Sequence, residues 1–238
     1  PKSSEAAVAL YKCFVTGECV ITDTRTAELS KLAENSFRDV NIAFANELSM
    51  ICDKLGIDVW ELIGLANRHP RVNILKPGCG VGGHCIAVDP WFIVNKAEVE
   101  ARLISTARTV NDDKPRWVID KIGAAVEHLT KTGMARENII IACFGLAFKP
   151  DVDDLRESPA LQIAETLYRM YGRNLLVVDT YIHEAPESLA GATLAHMEQA
   201  LSQADIIAFL TEHKAFRVLS KDRLRAGQLV IDATGHFA

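Results

Sequence analysis

The sequence predicts an α/β protein in two parts, a central all-helical domain followed by a doubly wound, Rossmann-like parallel sheet. Two observations carry the prediction. Between Thr26 and Thr130 apolar residues recur at helical spacing and strand formers do not cluster. From Asn138 onward the pattern changes to short continuous apolar runs separated by helix-length segments, as when buried parallel strands alternate with crossover helices. The limits that follow are 1–23, a helix-strand pair; 24–115, the helical domain; and 116–238, the α/β domain.

Residues 4–16 read as a short helix capped by Ser4 and stopped by Gly17, and Glu18–Thr22 reads as a strand with no evident sheet to join. A long helix is expected over 26–55. Its apolar stripe, Leu29, Leu32, Phe37, Val40, Phe44, Leu48, Ile51 and Leu55, marks one face. Gly56 ends this helix and Asp58 caps the next, 59–67. The density of Pro and Gly from His69 to Pro90 predicts a loop. Helices are expected over 91–110 and from about Pro115 to Thr130. In the α/β part, strands are expected at 138–144, 174–179, 205–210 and 228–232, with helices at 159–171 and 197–202.

Composition narrows the function classes. The chain has 238 residues, 49% hydrophobic and 24% charged, the balance of a globular protein. A net charge of -5 with no basic run excludes a nucleic-acid binder that works by neutralising phosphates. No apolar run is long enough to span a bilayer, and no signal peptide is visible, so a cytoplasmic location is expected. The six cysteines are scattered, which suits reduced core thiols with an occasional nucleophile better than a disulfide scaffold.

Three clusters carry chemistry. Gly78-Cys79-Gly80-Val81-Gly82-Gly83 fits G-x-G-x-x-G, but no strand precedes it and no helix opens after it, so it reads as a decoy for the dinucleotide fingerprint. The alternative is that the glycines let backbone pass close to a ligand and present Cys85. Cys79, His84 and Cys85 have the ligand types for zinc but lack a second pair at suitable spacing, and no metal is expected. On the long helix Lys31 and Asn35 share a face, and Asn46 returns to it; the plain reading of this polar stripe is a solvated surface. The third cluster, Phe148 to Pro159, follows the first strand of the α/β domain. It places Lys149 where open parallel sheets bind ligands, while Asp154, Arg156 and Glu157 read as a network that positions the next helix.

In this order, Ala27–Phe37, Asn46-Glu47, Gly80–Cys85, Phe148-Lys149 and Arg156–Pro159 resemble the UDP-sugar 6-dehydrogenase (UDP-glucose/GDP-mannose dehydrogenase) family over essentially the whole chain. Gly80–Val94 is similar to the N-acetylmannosamine branch. The resemblance implies NAD-dependent oxidation of a sugar CH2OH to a carboxylate, through a thiohemiacetal and thioester on Cys85, in cell-surface polysaccharide precursor synthesis. It implies that Lys31 stabilises the oxyanion, Asn35 holds the same oxygen and a water, and Asp89 assists proton movement. Lys149 would contact the UDP-sugar, the loop around Leu75 and Gly82 would close over it, and Arg71 would reach a neighbouring subunit's site. The long helix would make a homodimer.

Members of the family begin with an NAD-binding domain, and no convincing NAD site is legible in this sequence. Residues 1–23 are expected to be that domain's last pieces, and the polypeptide is expected to be a fragment, inactive alone. The alternative is a non-catalytic module that binds UDP-sugar or dimerises.

Overall fold

The computed structural model describes residues 2–238. The first helix, α1 (Lys2–Tyr11), buries none of its residues, and the expected strand at 18–22 does not form. A strand exists only through its ladder, and no neighbouring chain lies beside these residues to pair with them.

Helix α2 (Thr24–Leu55) begins where the Asp23 carboxylate accepts the Thr26 N–H, and ends at Gly56, whose φ of +68 suits only a residue without a side chain. Its orientation reverses the expected one. The polar side chains Asn35, Ser36, Asp39, Asn46 and Ser49 are buried, whereas Leu29, Phe37, Phe44, Ile51 and Leu55 are 44–73% exposed. Asp39, Asn46 and Ser49 find partners in Arg108, Asn111 and Lys114, Asn35 finds Asp89, and much of the apolar stripe is left uncovered among the described residues.

Helix α3 (Val59–Ala66) is capped by Asp58, which accepts from Trp60 and Glu61 N–H groups. The two helices expected over 91–110 and 115–130 are divided differently. Helix α4 (Asp89–Lys96) is short, and α5 (Arg102–Lys131) runs unbroken through Pro115. Proline frees the carbonyl of Asn111, and Gly80, lacking a side chain, brings its backbone against that carbonyl. The position 115/116, expected to divide the domains, therefore lies inside one helix. The first half of α5 packs on α2; Val118, Ile122, Val126 and Leu129 of its second half enter the core beside the sheet. Each such side chain contributes about 1.5–3 kcal/mol on burial, so α5 is a stiff joint between the two parts.

The sheet is fully parallel, in the order β3-β2-β1-β4-β5, from β1 (Ile141–Phe144), β2 (Leu175–Val178), β3 (Thr193–Leu194), β4 (Ile206–Phe209) and β5 (Leu229–Asp232). Its faces follow strand alternation. Ile141, Cys143, Leu175, Val177, Ile206 and Ala208 pack with α5 and α6 (Pro159–Tyr171). Ala142, Phe144, Leu176, Val178, Ile207 and Phe209 pack with α7 (Met197–Gln203) and Phe216. Strand β3 was not anticipated, because two residues are too few to show a period. The chain turns one way from β1 to β2 and the other way to β4, so the carboxyl ends of β1 and β4 form the topological switch point.

Candidate functional site

The glycine loop is seated closely against the rest of the protein. A Cβ on Gly82 would stand 2.4 Å from the Glu157 carbonyl oxygen and 2.8 Å from Phe148 Cβ and Pro159 Cδ; one on Gly83 would stand 2.8 Å from the Phe148 ring. Gly83 N–H donates to the Arg156 carbonyl at 3.0 Å. The loop thus seats directly on the segment after β1, and the glycines are there because backbone meets backbone. No strand precedes them among the described residues. Gly82, expected near the substrate, is packed against the Phe148–Pro159 segment.

Beyond the glycines the chain makes a turn in which Val88 and Asp89 N–H groups donate to the Cys85 carbonyl, and α4 starts at Asp89. The half-buried Cys85 thiol has no hydrogen-bond partner among the described residues. Asn35 Nδ2 donates to Asp89 Oδ2 at 2.5 Å, and Lys31 Nζ donates to Asn35 Oδ1 at 3.4 Å and pairs with Glu34. Lys31, Asn35 and Asp89, expected to act together, are therefore joined in one chain that ends at the Cys85 turn. Arg156 is held in a fork by Asp154, whose carboxyl lies at about 2 through hydrogen bonds from Arg156.

A cleft of about 800 Å³ opens between α2, the 71–80 loop and the 148–150 turn. Of the four expected substrate contacts, Arg71, Leu75 and Lys149 line it and Gly82 does not. Arg38 and Lys76 line it too, with Phe37, Asn41 and Phe148, and none of its lining residues is acidic. Lys149 enters no ion pair among the described residues. Four cations line it in a chain whose net charge is -5; Lys76 pairs with Glu212 at 3.9 Å, and the other three enter no ion pair among the described residues. Arg38 could have been found by continuing the Lys31–Asn35 face by one turn; Lys76 is adjacent to Leu75.

Behind the cleft lies a buried polar network that a sequence read as solvated surface conceals. Arg108 pairs with Asp39 at 2.6 Å and with Asp112. Asn111 donates to Asp39 Oδ1, Asn46 donates to Asn111, and Gly78 N–H donates to Asn46 Oδ1, each at 2.9 Å. This last bond fixes the glycine loop to α2. Burial raises the Asp39 carboxyl, and Arg108 only partly opposes it. Lys114, 1% exposed, donates to Ser49 Oγ at 2.5 Å and stacks over Trp117; burial lowers it to about 8. Cys79, which might have ligated zinc, is buried, donates to the Leu210 carbonyl and is pushed up to about 12, while His84 is exposed. Among the described residues no three His, Cys, Asp or Glu side chains are grouped to hold a metal.

The α/β domain does not fit a dinucleotide at its switch point. Gly145, at φ +90, would place a Cβ 2.4 Å from Thr211 Cβ, and Thr211 Oγ1 donates to the Ala147 carbonyl. Asp179, at the end of β2 where a ribose-binding acid would stand, accepts the Leu146 N–H at 2.7 Å. Helix α6 does not begin until Pro159, so no helix N-terminus meets the end of β1.

Comparison with known proteins matches this arrangement in sequence and in fold. The family model for the UDP-glucose/GDP-mannose dehydrogenase family, central domain, matches residues 25–113, and that for the family's UDP binding domain matches 142–237. The chain belongs to the UDP-glucose/GDP-mannose dehydrogenase family. It is 58% identical over 237 residues to the UDP-N-acetyl-D-mannosamine dehydrogenase of Escherichia coli, covering 99% of this chain and 56% of that protein. It is 57% identical to the NDP-N-acetyl-D-galactosaminuronic acid dehydrogenase of Ralstonia nicotianae, covering all of this chain and 54% of that one. A solved UDP-D-ManNAc dehydrogenase from Pyrococcus horikoshii superposes with a TM-score of 0.84 at 34% identity, over 100% of this chain and 55% of that one. The chain thus spans about half the length of the curated family members it matches. No helix among the described residues is long and apolar enough to cross a membrane.

Proposed function

We propose that this chain binds a UDP-N-acetylhexosamine in the cationic cleft and supplies the covalent half of its oxidation at C6. The cleft carries the reading: Arg38, Arg71, Lys76 and Lys149 line one space, of which only Lys76 is paired with an acid, Glu212, and this suits a diphosphate, while Phe37 and Phe148 offer apolar walls to the base and sugar. Cys85 is the nucleophile. Its thiolate adds to the C6 aldehyde, giving a thiohemiacetal, and at the later thioester stage water displaces the thiolate to leave the carboxylate. Lys31 faces the developing oxyanion, Asn35 holds that oxygen and orients Asp89 by donating to its carboxylate, and Asp89 assists proton movement during hydrolysis by accepting a proton from the attacking water. NAD is the hydride acceptor that the resemblance implies. The closed switch point does not fit it, so this stretch alone captures the sugar and does not oxidise it.

The sugar is N-acetylmannosamine, supported by the Escherichia coli and Pyrococcus relatives. The Ralstonia relative favours a second reading, N-acetylgalactosamine, at nearly equal identity. Competition between the two UDP-sugars separates them. The exposed apolar stripe of α2 supports a homodimer built on that helix. The test of the catalytic reading is NADH formation from NAD and UDP-N-acetylmannosamine. Binding of sugar without NADH is expected; turnover abolished by Cys85→Ala would show that the cofactor has a site in this chain after all.

A further inference from the structure

The turn that carries Lys149 is held from beneath by a residue on the far side of the switch point. Asp151 adopts φ +61, in the left-handed region that Asp enters more readily than most side-chain-bearing residues. His213, 0% exposed, in the loop after β4, holds this turn. Asp151 N–H donates to His213 Nδ1 at 2.9 Å. Because Nδ1 accepts there, the proton of the neutral ring is on Nε2, which faces Asp179 Oδ2 at 3.2 Å. Asp179 is anchored in turn by the N–H groups of Leu146, Tyr181 and Ile182. Burial raises the Asp179 carboxyl, but the bonds from His213 and these backbone groups outweigh it and keep it ionised. Tyr181 and Phe216 pack on the imidazole, so the ring cannot swing away. Lys214, the next residue, holds the same turn through its N–H, which donates to Asp151 Oδ1 at 2.9 Å.

We propose that His213 is a positioning residue for nucleotide-sugar binding: by accepting the Asp151 N–H while braced on Asp179, it sets the 149–151 turn so that Lys149 points into the cleft. The inference rests on the cleft being the UDP-sugar site. It gives the sheet's switch point a use other than cofactor binding. The Asp at the end of β2 holds an imidazole in place of a ribose, and the imidazole shapes the adjoining ligand loop.

Two variants separate the two edges of the ring. His213→Asn keeps an acceptor where Nδ1 stands and gives up Asp179; His213→Gln reaches Asp179 and gives up the acceptor. Calorimetric titration of UDP-N-acetylmannosamine into the full chain is expected to show affinity within about two-fold of the parent for His213→Asn and weakened about ten-fold or more for His213→Gln. In a Lys149→Ala background the Gln change should cost nothing further, because the group it positions is gone. Equal losses in both backgrounds would mean a merely structural residue and overturn the proposal. A hydrogen-bond scalar coupling between the Asp151 amide and His213 Nδ1 checks the contact in the unaltered protein; its absence overturns the proposal even if a variant fails to fold. If the parent chain binds no UDP-sugar, the cleft reading fails and this inference with it. If it binds through Lys149 yet ignores His213→Gln, only the inference fails.

Discussion

Gly82→Ala tests whether the glycine loop is a protein joint or a ligand cradle. The added methyl would sit 2.4 Å from the Glu157 carbonyl oxygen and 2.8 Å from Phe148 Cβ and Pro159 Cδ. Two of these three atoms belong to rigid groups, a peptide carbonyl and a proline ring, so no flexible side-chain end can give way. Glu157 itself stands at φ +48, and the adjoining Gly83–Arg156 hydrogen bond would stretch as the loops part. Overpacking of this kind costs about 1–3 kcal/mol, and one lost backbone hydrogen bond adds about 1 kcal/mol. For a chain of this size the sum lowers the thermal midpoint by roughly 4–16 °C. Differential scanning calorimetry without ligand reads it. Gly78→Ala is the control: a Cβ there meets nothing closer than 4.0 Å, and the midpoint should move by about 2 °C or less. If Gly82→Ala melts with the parent and loses only UDP-sugar affinity, the seating of the glycine loop on the 148–159 segment is wrong.

Lys114→Met should stabilise the protein by about 1–3 kcal/mol at pH 7, since lowering the lysine from 10.5 to about 8 costs roughly 3 kcal/mol when it is charged, partly offset by Trp117 and Ser49. The sign of the pH effect follows: between pH 8 and 10.5 the unfolded chain binds the extra proton, so the parent gains stability as pH rises through 8, and the gap to the variant should narrow in urea melts from pH 7 to 9. Asp39→Ala removes one of the two carboxylates of Arg108, itself 2% exposed, and the acceptor of Asn111, and should cost about 3 kcal/mol by chemical denaturation. On the proposed homodimer, sedimentation velocity should find dimers of the parent and monomers of Phe44→Asp with Ile51→Asp, with little loss of monomer stability because both side chains are already exposed.

The α/β half was legible because its strands are continuous apolar runs of the length that β1, β2, β4 and β5 occupy, and buried parallel strands need nothing subtler. The central half was legible as helix but not in its facing. Periodicity separates a polar from an apolar stripe without saying which one looks inward. On α2 the usual rule fails because Asp39, Asn46 and Ser49 are matched by Arg108, Asn111 and Lys114 more than sixty residues away. Pro115 suggested a break for the same reason: the close approach of Gly80 to the freed carbonyl is a tertiary fact. Within the site, Lys31 and Asn35 were visible as a helical pair, and Cys85 with Asp89 as a local turn. Their union across 54 residues came only with the packing of α4 on α2. His213 left no signal, since a buried histidine in a loop looks like any other.

The central claim is that the cationic cleft holds a UDP-sugar. Isothermal titration of UDP-N-acetylmannosamine into the chain at low salt measures it directly. One site per chain is expected, with affinity measurably weakened in Lys149→Ala and in Arg38→Ala while both variants melt with the parent. No binding, or binding that both substitutions leave intact, would place the nucleotide elsewhere and contradict the account.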